Sequence, residues 1–244
     1  MVIIKFYIYF KFFFRIRQRS VLLATCATRS MLIVRRSAIV VALAAARRCY
    51  CDAALLGRRI SYFAFGSNMH PAVLTGRRGV TPLLQRPAAA EGWRLGFSLR
   101  GGAGEPSFAS AEPDARKTLY GSLVDLAPGD WAKVCATEGV PLAYLALPCR
   151  CRPLDAAGNP DPNAEAVWAY TLTTAPGPLR VSNEADEPLP SERYLSYLRS
   201  GARLSGLPAP YRAYLDGLSR DPGSPPDGAI DPADAAWLSE EWGT

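Results

Sequence analysis

The sequence predicts an α+β domain organised as a small β-barrel with a few helices around it. Several segments rich in β-branched and aromatic residues are separated by Gly, Pro and Asp, which is typical of short strands joined by turns. Only two or three segments have helical patterns, and they do not alternate with the strands as βαβ units require. This order favours a barrel-like domain over a doubly wound parallel sheet.

The predicted strands share β-branched or aromatic enrichment and Gly, Pro or Asp at their ends; they cover residues 60–65, 88–99, 108–112, 118–126, 142–153 and 166–173. A short helix is expected at about 71–75, after the His70-Pro71 cap. A second helix begins at Pro128 and ends at Gly139, a residue suited to the left-handed position after a helix. A third is capped by Ser191 and runs to about Ser205.

A chain of 244 residues is long enough for one well-buried core, and its composition suggests three parts. Residues 1–52 are predicted to form a transit peptide or disordered leader, residues 58–220 one folded domain, and residues 221–244 a Pro/Asp-rich tail. The tail holds one short helical pattern, from Pro232 to about Glu241, and is expected to be solvated.

The net charge of +6 comes from the leader. The first 51 residues hold ten of the 28 basic residues and none of the 22 acidic ones, so the rest carries 18 basic and 22 acidic residues, a charge of −4. The folded domain is therefore not expected to bind nucleic acid.

The leader combines Arg, Ser, Ala and aliphatic residues without acids, which is typical of an organellar import sequence. It predicts a plastid or mitochondrial location, and its removal is not expected to affect activity. A secretory signal beginning at Met31, a misassigned start and a cytoplasmic location are the alternatives. Basic residues interrupt every apolar run before the 18 to 20 residues of a spanning helix, so no stable membrane insertion is expected.

The six cysteines include two Cys-x-Cys pairs, and the chain has one histidine. Neither spacing matches Cys-x-x-Cys metal sites, so we expect no metal and no disulfide framework. Cys149 and Cys151 would lie on one face of a strand as small packing groups.

The run Tyr62-Phe63-Ala64-Phe65-Gly66-Ser67-Asn68-Met69 is the first candidate for chemistry. An apolar strand stops there on small polar residues just before a helix start. Such a turn gathers unpaired backbone N–H groups, which favour a carboxylate or an oxyanion. The alternative is an ordinary turn, because Gly, Ser and Asn are common turn residues.

Glu138 is the candidate catalytic residue. It lies seven positions after Trp131 on the face that also carries Val134 and Cys135. A carboxylate on this face is costly unless it has a partner, and burial and the helix C-terminus should both raise its pKa towards that of a general base. The alternative is a surface Glu at a frayed helix end.

The Phe65-Gly66-Ser67-Asn68 segment resembles the Tyr-Gly-Ser-Asn signature of the γ-glutamylcyclotransferase family, also known for the AIG2-like fold. Three further blocks follow in the family's order: Ala136-Thr137-Glu138-Gly139-Val140, Val167-Trp168-Ala169-Tyr170, and Pro190 to Leu195 continued by Gly201-Ala202, Gly206-Leu207-Pro208 and Tyr211. The resemblance covers roughly residues 60–218, and the ordered set is more specific than any single block.

The resemblance implies a small mixed, partly closed β-barrel flanked by a few helices. It implies a γ-glutamylcyclotransferase: the α-amine of a γ-glutamyl group attacks its own γ-carbonyl, giving 5-oxoproline and a free amine or amino acid. Glu138 matches the family's catalytic Glu and would act as general acid and base. No cofactor is implied, and a small γ-glutamyl compound is the expected partner. A homodimer is left open.

The resemblance also implies that the strand end and turn line the substrate site, through Tyr62, Phe63, Ala64, Phe65, Gly66 and Ser67. Tyr194 matches a tyrosine that contacts substrate, and Tyr170 is a weaker candidate; both also suit packing positions. The Arg77-Arg78 pair could steer an anionic substrate, but a solvated surface pair is the favoured interpretation.

The sequence departs from the family pattern in three places. Phe65 stands where a Tyr is common, Ala136-Thr137 replace acids before the Glu, and the spacing from Glu138 to Tyr144 is one residue short. These differences bear on substrate choice. A glutathione-specific ChaC-like cyclotransferase, whose motif favours Gly-Ser-Leu, and an inactive small-molecule-binding module of the same fold are the alternatives.

Overall fold

The computed structural model describes residues 59–102, 104–223 and 230–242. All of them fall within the unit Ala42–Thr244. The predicted leader, residues 1–52, lies outside the described residues.

Within the described residues, five strands close into a barrel in the order β1-β3-β2-β4-β5. They are β1 (Ile60–Ala64), β2 (Leu84–Gly102), β3 (Glu105–Leu126), β4 (Tyr144–Pro153) and β5 (Val167–Thr174). Neighbouring strands are antiparallel, except that β1 and β5 pair in parallel where Tyr62 lies opposite Tyr170. The barrel is therefore mixed, and the predicted fold class is confirmed.

The predicted strands at 108–112 and 118–126 are one continuous strand in the structure. β3 pairs with β2 on both sides of the intervening polar residues, with Trp93 opposite Pro113 and Glu91 opposite Thr118. A register shift between Glu91 and Trp93 absorbs the irregularity. Pairing with β2 on both sides of residues 114–117 thus joins into one strand two segments whose local sequence predicts a break.

The described residues form four α-helices: α1 (Pro128–Thr137), α2 (Glu192–Leu204), α3 (Ala209–Asp216) and α4 (Pro232–Trp242). Ser191 caps α2 as predicted, because its hydroxyl accepts a hydrogen bond from the Tyr194 N–H at 3.0 Å. The α3 helix was not predicted. In the described ranges, no helix is both long and apolar enough to cross a membrane.

Cys149 and Cys151 are buried on β4 with their sulfurs 3.4 Å apart, so the prediction that they share one face is confirmed. Among the described cysteines none forms a disulfide. The described part of the chain also brings together no group of three His, Cys, Asp or Glu side chains that could hold a metal ion.

A buried carboxylate joins β2, β3 and the segment after β5. Glu112 is 5% exposed, and its Oε1 accepts hydrogen bonds from the Ser98 and Ser110 hydroxyls. Arg180 pairs with the other oxygen, Oε2, and also donates to the Thr174 carbonyl at 2.6 Å. Both carboxylate oxygens are thereby satisfied, as a buried charge requires.

One residue of α4, Asp234, anchors the helix to the domain, while most described residues of the helix are exposed. Asp234 is buried and accepts hydrogen bonds from Arg77 Nε at 2.9 Å and from the Tyr197 hydroxyl at 2.5 Å. Arg77 also lies over the Tyr197 ring, 5.0 Å from its centre. These two partners hold the first turn of α4 against the domain.

His70 is fully buried beside this group, and its ring meets Tyr197 edge-on at 5.2 Å. Among the described residues neither ring nitrogen has a hydrogen-bond partner. Burial lowers the pKa of His70 to about 4; Arg77 lowers it further, whereas Asp234 opposes the shift. The folded protein therefore holds this imidazole neutral.

We expect the free energy of unfolding to fall as the pH drops from 6.5 to 4. In this range the histidine of the unfolded chain, with a pKa near 6.5, binds a proton, whereas His70 of the folded protein stays neutral. The loss attributable to His70 should be at most about 3 kcal/mol. Urea unfolding of the full chain at a series of pH values measures it. His70→Phe should flatten this part of the profile; an unchanged slope would contradict the assignment.

Candidate active site

Glu138 occupies the C-terminal cap of α1, in a Schellman motif. The Val140 N–H bonds to the Cys135 carbonyl at 2.9 Å and the Gly139 N–H to the Ala136 carbonyl at 3.3 Å. Gly139 has φ 69°, the left-handed conformation that was predicted for it. The motif fixes the direction in which the Glu138 side chain leaves the helix.

The Glu138 carboxylate contacts the turn that follows β1. Its Oε1 accepts a hydrogen bond from Asn68 Nδ2 at 2.8 Å, and the same amide nitrogen donates to the Tyr62 hydroxyl at 2.9 Å. Both amide protons of Asn68 are thus used, and its Oδ1 accepts from Arg78 Nε at 2.6 Å. Asn68 therefore orients the carboxylate and the guanidinium at once.

Arg78 completes the network through an ion pair with Glu138, at 2.7 Å between Nη2 and Oε1. The two side chains are only 16% and 14% exposed. Arg77 is 41% exposed and bonds to Asp234. The expectation of a solvated Arg77-Arg78 pair is wrong for Arg78, which reaches into the candidate site. A positive charge here also offsets the negative end of α1.

Three buried tyrosines surround this network. Burial, with the Glu138 charge adding to it, raises the pKa of Tyr62, Tyr144 and Tyr194 above the usual range. Tyr144 donates to the Ala109 carbonyl at 2.7 Å, and the Tyr194 oxygen accepts from the Ala109 N–H at 3.1 Å. The hydroxyls stay protonated at neutral pH and can act as hydrogen-bond donors.

The motif turn forms a short 3₁₀ helix, Ser67–Met69, after Gly66. No side chain caps this turn, and the first N–H groups of a helix have no partner within it. Gly66 has φ −105°, so a positive φ is not the reason for a glycine here. Space is the remaining reason: a Cβ at Gly66 would lie 3.3 Å from both Ala109 Cβ and the Tyr194 hydroxyl.

Gly66→Val should therefore weaken substrate binding. The branched side chain must displace Tyr194 from the hydrogen bonds that its hydroxyl makes with Ala109 and Ser67. We expect KM to rise by roughly 10-fold or more while the far-ultraviolet spectrum stays unchanged. Gly66→Ala, which adds the Cβ alone, is the matched control and should have a smaller effect. A folded Val variant with an unaltered KM would show that the turn is structural only.

The other predicted residues lie in the hydrophobic core. Phe63, Ala64 and Phe65 are buried there, and their roles in a substrate site stay predictions. The Tyr170 ring stacks on Trp131 at 5.5 Å, and Trp131 in turn meets Tyr62 at 5.6 Å. This stacking suits a packing role for Tyr170.

A cavity of about 240 Å³ lies elsewhere, between Met69, Pro71, residues 85–87 and the end of α2. Neither Glu138 nor Arg78 lines it. We place the candidate active site at the polar network rather than at this cavity, because the network joins a carboxylate and a guanidinium beside the motif turn.

Asn68, Arg78 and Tyr144 are the members of the site that sequence reasoning did not assign. Asn68 belongs to the motif that was singled out, so its position was the available signal. Nothing local distinguishes Arg78 from Arg77: Arg77 is the last residue of the short helix Ala72–Arg77 and Arg78 is its C-cap, yet only Arg78 pairs with Glu138.

Two curated proteins are similar in sequence to this chain. The γ-glutamyl cyclotransferase aclK of Aspergillus oryzae is 29% identical over 176 residues, which are 65% of this chain and 60% of that protein. The γ-glutamyl cyclotransferase gliK of Aspergillus fumigatus is 31% identical over 177 residues, 65% of this chain and 62% of that protein. The chain thus spans about three fifths of the length of these relatives. No protein-family model matches the sequence.

Solved structures share the fold at low sequence identity. One, described as a γ-glutamyl cyclotransferase, has a TM-score of 0.57 at 14% identity and covers 75% of this chain and 99% of its own. An uncharacterized protein of Homo sapiens gives the same TM-score and identity over 74% of this chain and 98% of its own. Both similar sequences are named as γ-glutamyl cyclotransferases, and these solved structures share the fold of this chain.

Proposed function

We propose that this protein is a γ-glutamylcyclotransferase that converts a γ-glutamyl amino acid or peptide to 5-oxoproline, with Glu138 as general acid and base. The observation that carries the proposal is the Glu138 carboxylate, held at the end of α1 beside the Gly66-Ser67-Asn68 turn. The names of the similar proteins support the reaction class.

In the proposed reaction Glu138 takes one proton from the α-ammonium of the γ-glutamyl group. The freed amine attacks the γ-carbonyl within the same molecule, and the backbone N–H groups of Gly66 and Ser67 stabilise the oxyanion. Glu138 then returns its proton to the leaving nitrogen as the C–N bond breaks. The second proton passes from the ring nitrogen to solvent, and the departing amine takes up a proton there.

The reaction needs positioning more than it needs further chemical groups. Nucleophile and electrophile belong to one substrate, so the protein has to fold the γ-glutamyl chain until the amine reaches its own carbonyl. The buried tyrosines supply protonated hydroxyls around Glu138 that can hold the substrate's oxygens.

The test is to incubate the purified full chain with γ-glutamyl amino acids, glutathione and γ-glutamyl amines, and to quantify 5-oxoproline by mass spectrometry. Turnover of γ-glutamyl amino acids supports the proposal. Turnover of glutathione alone would favour the glutathione-specific alternative. Binding of these compounds without any 5-oxoproline would favour an inactive binding module and contradict the proposal.

A further inference from the structure

The Arg78–Glu138 ion pair is largely enclosed and sits where the substrate must bind. Its two side chains are 16% and 14% exposed, and the pairing distance is 2.7 Å. Such a pair stabilises a fold little, because desolvation of both charges offsets their attraction. Asn68 holds both partners, with 2.8 Å to the carboxylate and 2.6 Å to the guanidinium. The arrangement therefore preserves two opposite charges at fixed positions.

The head group of an α-amino acid carries the same two charges on one carbon atom. Its ammonium is complementary to Glu138, and its carboxylate is complementary to the planar, bidentate guanidinium of Arg78. We propose that Arg78 binds the α-carboxylate of the γ-glutamyl substrate, and that substrate entry separates the Arg78–Glu138 pair by giving each member a new partner. This inference rests on the proposed function and names the part of the substrate that is recognised.

The neighbouring groups leave this role to Arg78. Arg77 is engaged by Asp234 and by the Tyr197 hydroxyl, at 2.9 Å and 2.6 Å. Both amide protons of Asn68 are already used by Tyr62 and Glu138. In the ranges that the structure describes, Arg78 is the basic side chain that forms an ion pair with Glu138.

The exchange has consequences at both ends of the reaction. Before the substrate enters, Arg78 pairs with the Glu138 carboxylate; afterwards the carboxylate faces the ammonium from which it must take a proton. The N–H groups at Gly66 and Ser67 then remain available for the oxyanion, since Arg78 holds the α-carboxylate. The product keeps that carboxylate but its nitrogen is an uncharged lactam, so Glu138 can recover Arg78 and favour product release.

The experiment compares γ-glutamylalanine with its analogue in which the glutamyl α-carboxylate is an α-carboxamide. Both can cyclise, and mass spectrometry quantifies both lactam products. The wild-type full chain should prefer the acid by roughly 10²-fold in kcat/KM, mainly through KM. Arg78→Gln should remove most of this preference by slowing the acid alone, and Arg78→Lys should keep part of it.

Arg116→Gln is the matched control, because it makes the same change of charge at a side chain that is 90% exposed. It should retain the wild-type preference, and circular dichroism melts of all variants check folding. Equal turnover of acid and amide by the wild type would overturn the role of Arg78 and leave the proposed function standing. If the Arg78→Gln variant keeps the preference for the acid over the amide, the role of Arg78 is likewise overturned and the proposed function stands. Absence of turnover of both compounds would overturn the proposed function and this inference with it.

Discussion

Glu138→Gln is expected to lower kcat by roughly 10² to 10⁴. The amide keeps the size of the side chain and can still meet Asn68, but it cannot take a proton from the substrate ammonium. The fold should survive, because the cap of α1 depends on backbone bonds at Gly139 and Val140 and not on the carboxylate. The steady-state rate of 5-oxoproline formation and the thermal melt of the full chain measure both effects.

Glu165→Gln is the matched control, since Glu165 is an exposed carboxylate before β5. It should leave kcat within experimental error of the wild type. The Glu138 variant should lose some stability, on the order of 1–2 kcal/mol, because Arg78 loses its charged partner. A Glu138→Gln protein that forms 5-oxoproline at nearly the wild-type rate would assign the proton transfer to another group.

Arg180→Leu should destabilise the protein by roughly 3–5 kcal/mol. The substitution leaves the buried Glu112 carboxylate with the Ser98 and Ser110 hydroxyls as its remaining hydrogen-bond donors. It also leaves the Thr174 carbonyl without the donor that Arg180 provides. Urea unfolding at pH 7 measures the change in the free energy of unfolding.

A double-mutant cycle separates two contributions to this loss of stability: the lost attraction between Arg180 and Glu112, and the cost of leaving the Glu112 charge unpaired. Glu112→Gln removes the charge but keeps an oxygen that both serines can meet, so the double variant with Arg180→Leu should recover a large part of the loss. An Arg180→Leu protein within about 1 kcal/mol of the wild type would mean that Glu112 gains other partners or water.

Sequence reasoning reached the fold where local signals and tertiary structure agree. Pro128 and Gly139 delimit α1, and Ser191 caps α2, because these residues act through short-range backbone geometry. Local sequence patterns did not predict the elements whose conformation depends on contacts with residues distant in the chain. The polar centre of β3 belongs to one continuous strand because the residues on both sides of it pair with β2. The α3 helix begins between Pro208 and Pro210, residues that more often mark a turn.

The same division holds for the site. Glu138 and the Gly66-Ser67 turn were found because each has a local pattern, an apolar helix face in one case and a strand ending on small residues in the other. The contact between Asn68 and Glu138 joins residues 70 positions apart and has no local pattern. Which of two adjacent arginines faces the carboxylate depends on how the short helix before them sits on the barrel. That placement is a tertiary property.

The pairing of β1 with β5 sets how late in synthesis the barrel can close. β1 leaves the ribosome first, yet its partners β3 and β5 are made later, and Thr171 on β5 donates to the Phe63 carbonyl across 108 residues. A nascent chain that has not reached Val167 holds one edge of β1 unpaired and available to other chains. The turn carrying Asn68 therefore reaches its final place late, and closure over such a distance slows folding. Catalytic competence should be among the last properties that a newly made chain acquires.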